Sequence, residues 1–243
     1  MSERASVDGK RFLAVFAHPD DETTSCAGAF PRFSGEGAVV TVITATRGEG
    51  GTLGTGGVQI AREDLPKARE QEQRAVSDLM GVKEVVYLDY IDGQVDQAPH
   101  RELVNKVLSV MQRVAPEVVF TFGPQGISRH DDYVAVSRAA TDAFHVYNDS
   151  REGRGPASLF CVAIPKEMAE KFGIDIDGIE TEPTTAIDIR RHLPIKVEAL
   201  RTYKSQEAAQ MVAEAFEGMP QEFEYFHRAY PAVTDGALQA GLW

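Results

Sequence analysis

The chain has 243 residues, 43% of them hydrophobic, enough for one large α/β domain or one domain with an appendage. Its formal net charge of -12 excludes the basic footprint of a nucleic-acid binder and the polybasic segments that seek anionic membranes. Cys26 and Cys161 lie in apolar surroundings and make no disulfide framework, so both read as small core residues. No stretch approaches the ~18 apolar residues of a membrane span, and the polar run Met1 to Lys10 lacks the apolar region of a secretory signal. A soluble, cytoplasmic protein is the expectation.

Short apolar, β-branched runs predict strands at Phe12–Phe16, Val39–Thr44, Glu84–Leu88, Val118–Phe122 and Ser158–Ile164. Helical spacing of apolar residues fills the gaps at Glu63–Met80, with Gly81 as a stop, at Arg101–Val114, with Pro116 beyond its end, and at Tyr133–Tyr147. A further helix candidate follows the first strand, and Pro31 should kink or end it. Strands alternating with helices imply βαβ units and a mostly parallel sheet. After about Ile164 the alternation weakens. Glu167–Asp177, Thr181–Asp188 and Leu193–Met219 suggest strand and helix additions packed beside the sheet. The whole reads as a single unit with a core of about 10–165 and a C-terminal extension of about 166–243.

The run His18-Pro19-Asp20-Asp21-Glu22 stands where the first strand ends. Open α/β sheets carry their sites at the carboxyl ends of strands, and zinc takes imidazole nitrogen together with carboxylate oxygen. Helix capping explains one aspartate, but not a preceding histidine and two adjacent aspartates. A dinucleotide fold would instead need a glycine fingerprint in this turn. The glycine-dense stretch Gly48–Gly57 follows the second strand and matches neither that fingerprint nor a P-loop. It reads either as a surface loop or as a lid, with Arg47 and Glu49 near its base. The second cluster, Ser128-Arg129-His130-Asp131-Asp132-Tyr133, follows the fourth strand. It falls on the same rim as His18, although Asp131 and Asp132 alone would pass as helix caps.

These motifs resemble the PIG-L/LmbE-like family of zinc-dependent N-acetylglucosaminyl deacetylases. His18 to Glu22 matches the family's first motif, Arg69 to Gly93 its middle region, Gly126 to Ser137 its later histidine motif, and Ala199 to Gln206 its C-terminal helix ending in Ser-Gln. The likeness spans roughly residues 10–210. It implies a Rossmann-like three-layer α/β fold and a metal-dependent hydrolase that removes an N-acyl group, N-acetyl first of all, from an amino sugar or related conjugate. It further implies His18 and Asp21 as ligands to Zn2+ or another divalent ion, Asp20 as general base, His130 as oxyanion stabiliser or acid, and Arg69 and Asp92 as holders of the sugar. The expected partner is a small molecule, and a homo-oligomer is one outcome of the likeness.

Family members usually read His-Pro-Asp-His in the later motif, where this chain has His130-Asp131-Asp132-Tyr133, and the departure at Tyr133 matters most. Tyr133 stands where the later motif has its last histidine, the third metal ligand. A phenol titrates near ~10 and must lose its proton to bind well. Three alternatives follow. Tyr133 binds as a phenolate, His130 substitutes for it, or the site is weak and the protein binds a sugar or metabolite without turning it over.

Overall fold

The structure, a computed structural model, describes residues 6–233 and 237–242; residues 1–5 of the polar N-terminal run lie outside the described part. In chain order the elements are β1 (Arg11–Phe16), α1 (Asp21–Cys26), α2 (Ala29–Gly35), β2 (Val39–Thr46), α3 (Leu65–Met80), β3 (Val82–Tyr90), α4 (His100–Val114), β4 (Val118–Thr121), α5 (Gly126–Arg129), α6 (Asp131–Asp149), β5 (Ser158–Ala163), α7 (Lys166–Phe172), β6 (Thr185–Asp188), α8 (Leu193–Thr202), α9 (Glu207–Gly218) and β7 (Phe223–Tyr230). No helix among the described residues is long and apolar enough to cross a membrane.

The strands form a 7-stranded sheet in the order β3-β2-β1-β4-β5-β7-β6. The pairs from β3 through β5 are parallel, and β7 runs antiparallel to both neighbours. The chain steps outward from β1 to β3, then returns to lay β4 against the other side of β1. Strand order reverses there, and the register Phe12↔Val118 to Ala14↔Phe120 brings the ends of β1 and β4 level. A crevice at such a reversal is where open α/β sheets bind ligands.

Both faces of the central strands are covered, which is why β1, β4 and β5 are continuous apolar runs rather than alternating ones. Phe120 is the hub of the core. It lies 5.8 Å from Phe30, 5.7 Å from Phe160 and 5.1 Å from Phe226 between ring centroids. Because Phe226 belongs to β7, the C-terminal extension shares the core of the first five strands. The expectation that segments after Ile164 pack beside the sheet is therefore corrected: β6 and β7 lengthen it. The alternation of β7 is masked because its inward face carries Glu224 beside Phe226, both buried.

Glu224 also explains the break between α1 and α2. Its carboxylate accepts from Gly28 N at 2.8 Å and Ala29 N at 2.7 Å, satisfying the first amides of α2. Lys196 Nζ donates to the same carboxylate at 2.6 Å and to Thr24 O at 2.7 Å. A Cβ at Gly28 would meet the Ile189 side chain at 2.6 Å, so only glycine lets the extension approach this closely. The break thus precedes Pro31, which stands in the first turn of α2 where its missing N–H costs little.

Glu224→Ala strands a buried ammonium and two amides, so it should cost about 3–5 kcal/mol of stability. Urea unfolding checks this, and a loss below about 1 kcal/mol, typical of an exposed pair, would contradict the role given to the contact.

Candidate metal centre and active site

β1 delivers His18 to the reversal point, and the next residues fold back on themselves. Asp21 Oδ2 accepts from Ala17 N at 3.1 Å and His18 N at 2.7 Å, so the aspartate locks the turn that precedes it. Asp20 is left in the left-handed region, at φ 99°. Asp tolerates that region better than most residues, and such strain gathers at functional sites.

The His18 ring lies between two carboxylates. Its Nε2 is 2.9 Å from Asp132 Oδ2 and 3.0 Å from Asp92 Oδ1. Asp132 is fixed by Gly93 N at 2.7 Å and Val95 N at 2.9 Å, and Asp92 by Gly50 N at 3.0 Å. Burial opposes charge on the ring, but the bonds to Asp132 and Asp92 and the charge of Asp21 raise its pKa to about 10. Asp132 stays below the usual carboxylate range despite its burial, because His18 and the two amides favour its charged form. With Nε2 so engaged, Nδ1 is the ring's unshared donor: among the described residues no hydrogen bond involves it.

His130 is the exposed N-cap of α6. Its Nδ1 accepts from Asp132 N at 3.2 Å, and its ring is 5.3 Å from that of His18. Tyr133 stacks on Phe122 at 4.4 Å and donates its hydroxyl to Asp21 Oδ1 at 2.6 Å. Burial and the neighbouring Asp21 hold the phenol well above its ordinary pKa, so it remains a donor. Ligand atoms of His18, His130 and Asp132 lie within 4.8 Å of one another, and Asp21 stands beside them. Imidazoles and carboxylates converging in this way fit a divalent cation by donor chemistry. The proton that His18 holds up to high pH occupies the place of a positive charge that the carboxylates call for.

Arg69 comes from α3. Its guanidinium is buried, pairs with Asp20 Oδ2 at 3.0 Å, and donates to Pro19 O and to Gly48 O. A Cβ at Gly48 would meet that guanidinium at 2.1 Å. Burial raises the Asp20 pKa to about 7; Arg69 pulls it down, while Asp21 and Glu22 push it up. All the residues singled out by sequence, His18, Asp20, Asp21, Arg69, Asp92, His130 and Tyr133, therefore lie in one connected cluster. Arg69 braces the His18–Asp20 turn, and Asp92 touches His18 directly.

Two roles had escaped sequence reasoning. Asp132 reads as a cap but is the buried partner of His18. Glu22, fully buried, accepts from Tyr203 OH at 2.6 Å, Gln73 Nε2 at 2.9 Å and Thr23 Oγ1 at 2.9 Å. The last carboxylate of the motif itself and a tyrosine in the Ala199–Gln206 segment were the available signals. The glycine-dense loop is strapped to that same segment: Gly54 N and Thr52 Oγ1 both donate to Ser205 O, at 3.2 and 2.7 Å. It forms one wall of the site, with Gly50 N donating to Asp92.

Residues 13–144, more than half of the chain, match the model of the PIG-L family, described as GlcNAc-PI de-N-acetylase. The chain belongs to the PIG-L family. Similar relatives include a probable N-acetyl-alpha-D-glucosaminyl L-malate deacetylase 2 of Bacillus anthracis, 24% identical with 90% of this chain and 92% of the relative covered. Another is the 1D-myo-inositol 2-acetamido-2-deoxy-alpha-D-glucopyranoside deacetylase of Saccharomonospora viridis, 29% identical with 80% and 84% covered. Among solved structures, a conserved protein from Thermus thermophilus aligns with a TM-score of 0.69 and 25% identity, over 92% of this chain and 96% of that one. The PIG-L match covers both clusters of site residues, from the first strand to the helix that carries Tyr133.

The raised His18 pKa has a definite sign. A group whose pKa rises on folding adds stability fully present below its unfolded value, ~6.5. That stability is lost as pH climbs toward about 10. In chelator, the gap in thermal midpoint between wild type and His18→Gln should narrow from pH 6 to pH 10. A constant gap would contradict the imidazolium–carboxylate contacts.

Proposed function

We propose that this protein is a metal-dependent deacetylase that hydrolyses the N-acetyl group of an N-acetylglucosamine conjugate. The observation that carries the reading is the pairing of a strained, near-neutral Asp20 with buried Arg69, directly beside the His18 donor cluster. His18 and Asp21 would hold the ion, with His130 as third donor. Tyr133 acts as a brace on Asp21, since its hydroxyl already donates there. Asp132 orients His18 through Nε2, the carboxylate–histidine arrangement common around metal sites.

A bound divalent cation, zinc or another, supplies a Lewis acid that polarises the amide carbonyl and acidifies water. Asp20 takes the proton from the attacking water and returns it to the nitrogen as the C–N bond breaks, so that acetate and a free amine leave. Arg69 keeps Asp20 from drifting and limits the rise of its pKa. With Nδ1 already accepting from Asp132 N and the ring engaged as third donor, His130 gives up the acid or oxyanion role that the resemblance implies for it. Asp92, beside Gly50 and Glu49 of the loop wall, lines the way in for the sugar.

Incubation of the purified, metal-loaded protein with N-acetylglucosaminyl conjugates should release equal amounts of acetate and amine. Asp20→Asn should keep its metal while kcat falls about 10²–10⁴-fold; an unchanged kcat would remove Asp20 as the base. Metal bound without any turnover of such conjugates would instead favour the binding-protein reading that Tyr133 first raised.

The ligand roles have their own test. Tyr133→Phe should still bind one metal per chain, with affinity about 10–100-fold lower, as for loss of an outer contact, whereas His130→Ala should lose the metal. Metal analysis after dialysis reads both. Complete loss in Tyr133→Phe would make the phenol a ligand.

A further inference from the structure

One buried carboxylate near the site has no part in the chemistry above. Glu180, in the short turn Gly178–Glu180 ahead of β6, is fully buried. Its carbonyl accepts from Ile164 N at 2.8 Å, which pins the residue to the end of β5. Its side chain runs beneath the loop between β4 and α6, and a Cβ at Gly123 would meet its Cγ at 2.2 Å. Oε1 accepts from Ile127 N at 3.1 Å, and Oε2 is buried without a hydrogen-bond partner among the described residues.

The loop it meets is strained. Gly126, Ile127 and Arg129 all have positive φ, at 64°, 58° and 60°. For a β-branched residue such as Ile127 that conformation is a true outlier, and such strain persists only where the surroundings over-determine it. The segment before β6 supplies the determinants. Besides Glu180, Asp177 O accepts from Gln125 Nε2 at 3.0 Å and Asp175 O accepts from Arg129 Nε at 2.8 Å. The residue after Arg129 is His130, and Gly126 lies so close to Tyr133 that a Cβ there would be 2.6 Å from the tyrosine's. Whatever sets the shape of this turn therefore sets where His130 and Tyr133 stand.

We propose that Glu180 is a positioning residue, whose buried carboxylate holds the strained turn through the Ile127 amide and thereby fixes His130 over the centre. Only its kinetic arm rests on the deacetylase reading. Among the described residues the turn shows no other acceptor for the Ile127 amide, which lies in the first turn of α5, where amides have no partner within the helix. Glu180 thus gives the C-terminal extension a function in the site as well as in the sheet.

The test compares Glu180→Met, which keeps the bulk and removes the acceptor, with Glu180→Gln, which keeps an acceptor oxygen. Both are made in the full chain. Glu180→Met should lower kcat about 10–100-fold, the scale set by an ångström of misplacement, with KM unchanged and the metal held less tightly, since the misplaced His130 is a donor to it. Glu180→Gln should recover most of that loss. Amide exchange at Ile127 should speed up in Glu180→Met and not in Glu180→Gln. Wild-type kcat in Glu180→Met, or equal impairment in Glu180→Gln, overturns the proposal. If wild type deacetylates nothing, the functional reading fails alone, and Ile127 exchange still decides: equal rates in all forms overturn the clamp. Glu180→Leu serves in the same comparison if Glu180→Met does not fold.

Discussion

A buried imidazole wedged between two carboxylates is the joint on which this molecule turns. His18 arrives at the end of β1, Asp92 from the loop after β3, and Asp132 from the first turn of α6. These segments are far apart in sequence, and they meet only because strand order reverses between β1 and β4. Charge buried away from water is costly unless it is compensated. Asp20, Asp21, Glu22, Asp92 and Asp132 gather around His18 and Arg69, a carboxylate-rich set whose donor chemistry suits a divalent ion.

Around that joint lies a second layer that holds it still. Glu22 is gripped by Tyr203, Gln73 and Thr23, and Gln73 in turn accepts from Tyr87 OH at 2.6 Å and donates to Thr44 Oγ1 at 2.9 Å. This network joins the motif after β1 to α3, β2, β3 and the C-terminal Tyr203. Arg69 fastens the turn before Asp20 to the glycine-dense loop, and the Ser205–Gln206 corner fastens that loop from the other side. The extension after β5 therefore supports the site at several points: Tyr203 below Glu22, Glu180 below the His130 turn, and Glu224 at the start of α2.

Much of this was legible in the sequence, for physical reasons. Strands buried on both faces leave continuous apolar runs, so β1, β2, β4 and β5 could be read within a few residues. The long helices announce themselves by spacing and by stops such as Gly81, whose φ of 70° suits the end of α3. His18 to Glu22 stood out because helix capping alone does not call for that combination, and the structure gathers it at the end of β1. What stayed hidden is what depends on partners distant in sequence. β7 carries a buried glutamate at a core position, intelligible only once Lys196 and the amides of α2 are seen around it. Asp132 looks like a helix cap because its true partner lies 114 residues away. The glycine-dense loop looked free because its anchors are main-chain atoms near Ser205.

Tyr133 has a structural place at the centre. A phenol in place of an imidazole is a poor ligand while protonated, yet here it stacks on Phe122 and donates to Asp21, so the position still shapes the centre. His130, at the N-terminus of the same helix, has its ring 5.3 Å from that of His18. The central claim is that a divalent ion is held at this joint by imidazole and carboxylate together. X-ray absorption of the zinc-loaded protein tests it most directly. The account predicts stoichiometric uptake, nitrogen and oxygen neighbours at about 2.0–2.2 Å, and the outer scattering of imidazole rings. Failure to take up the ion, or a spectrum with no imidazole contribution, would contradict it.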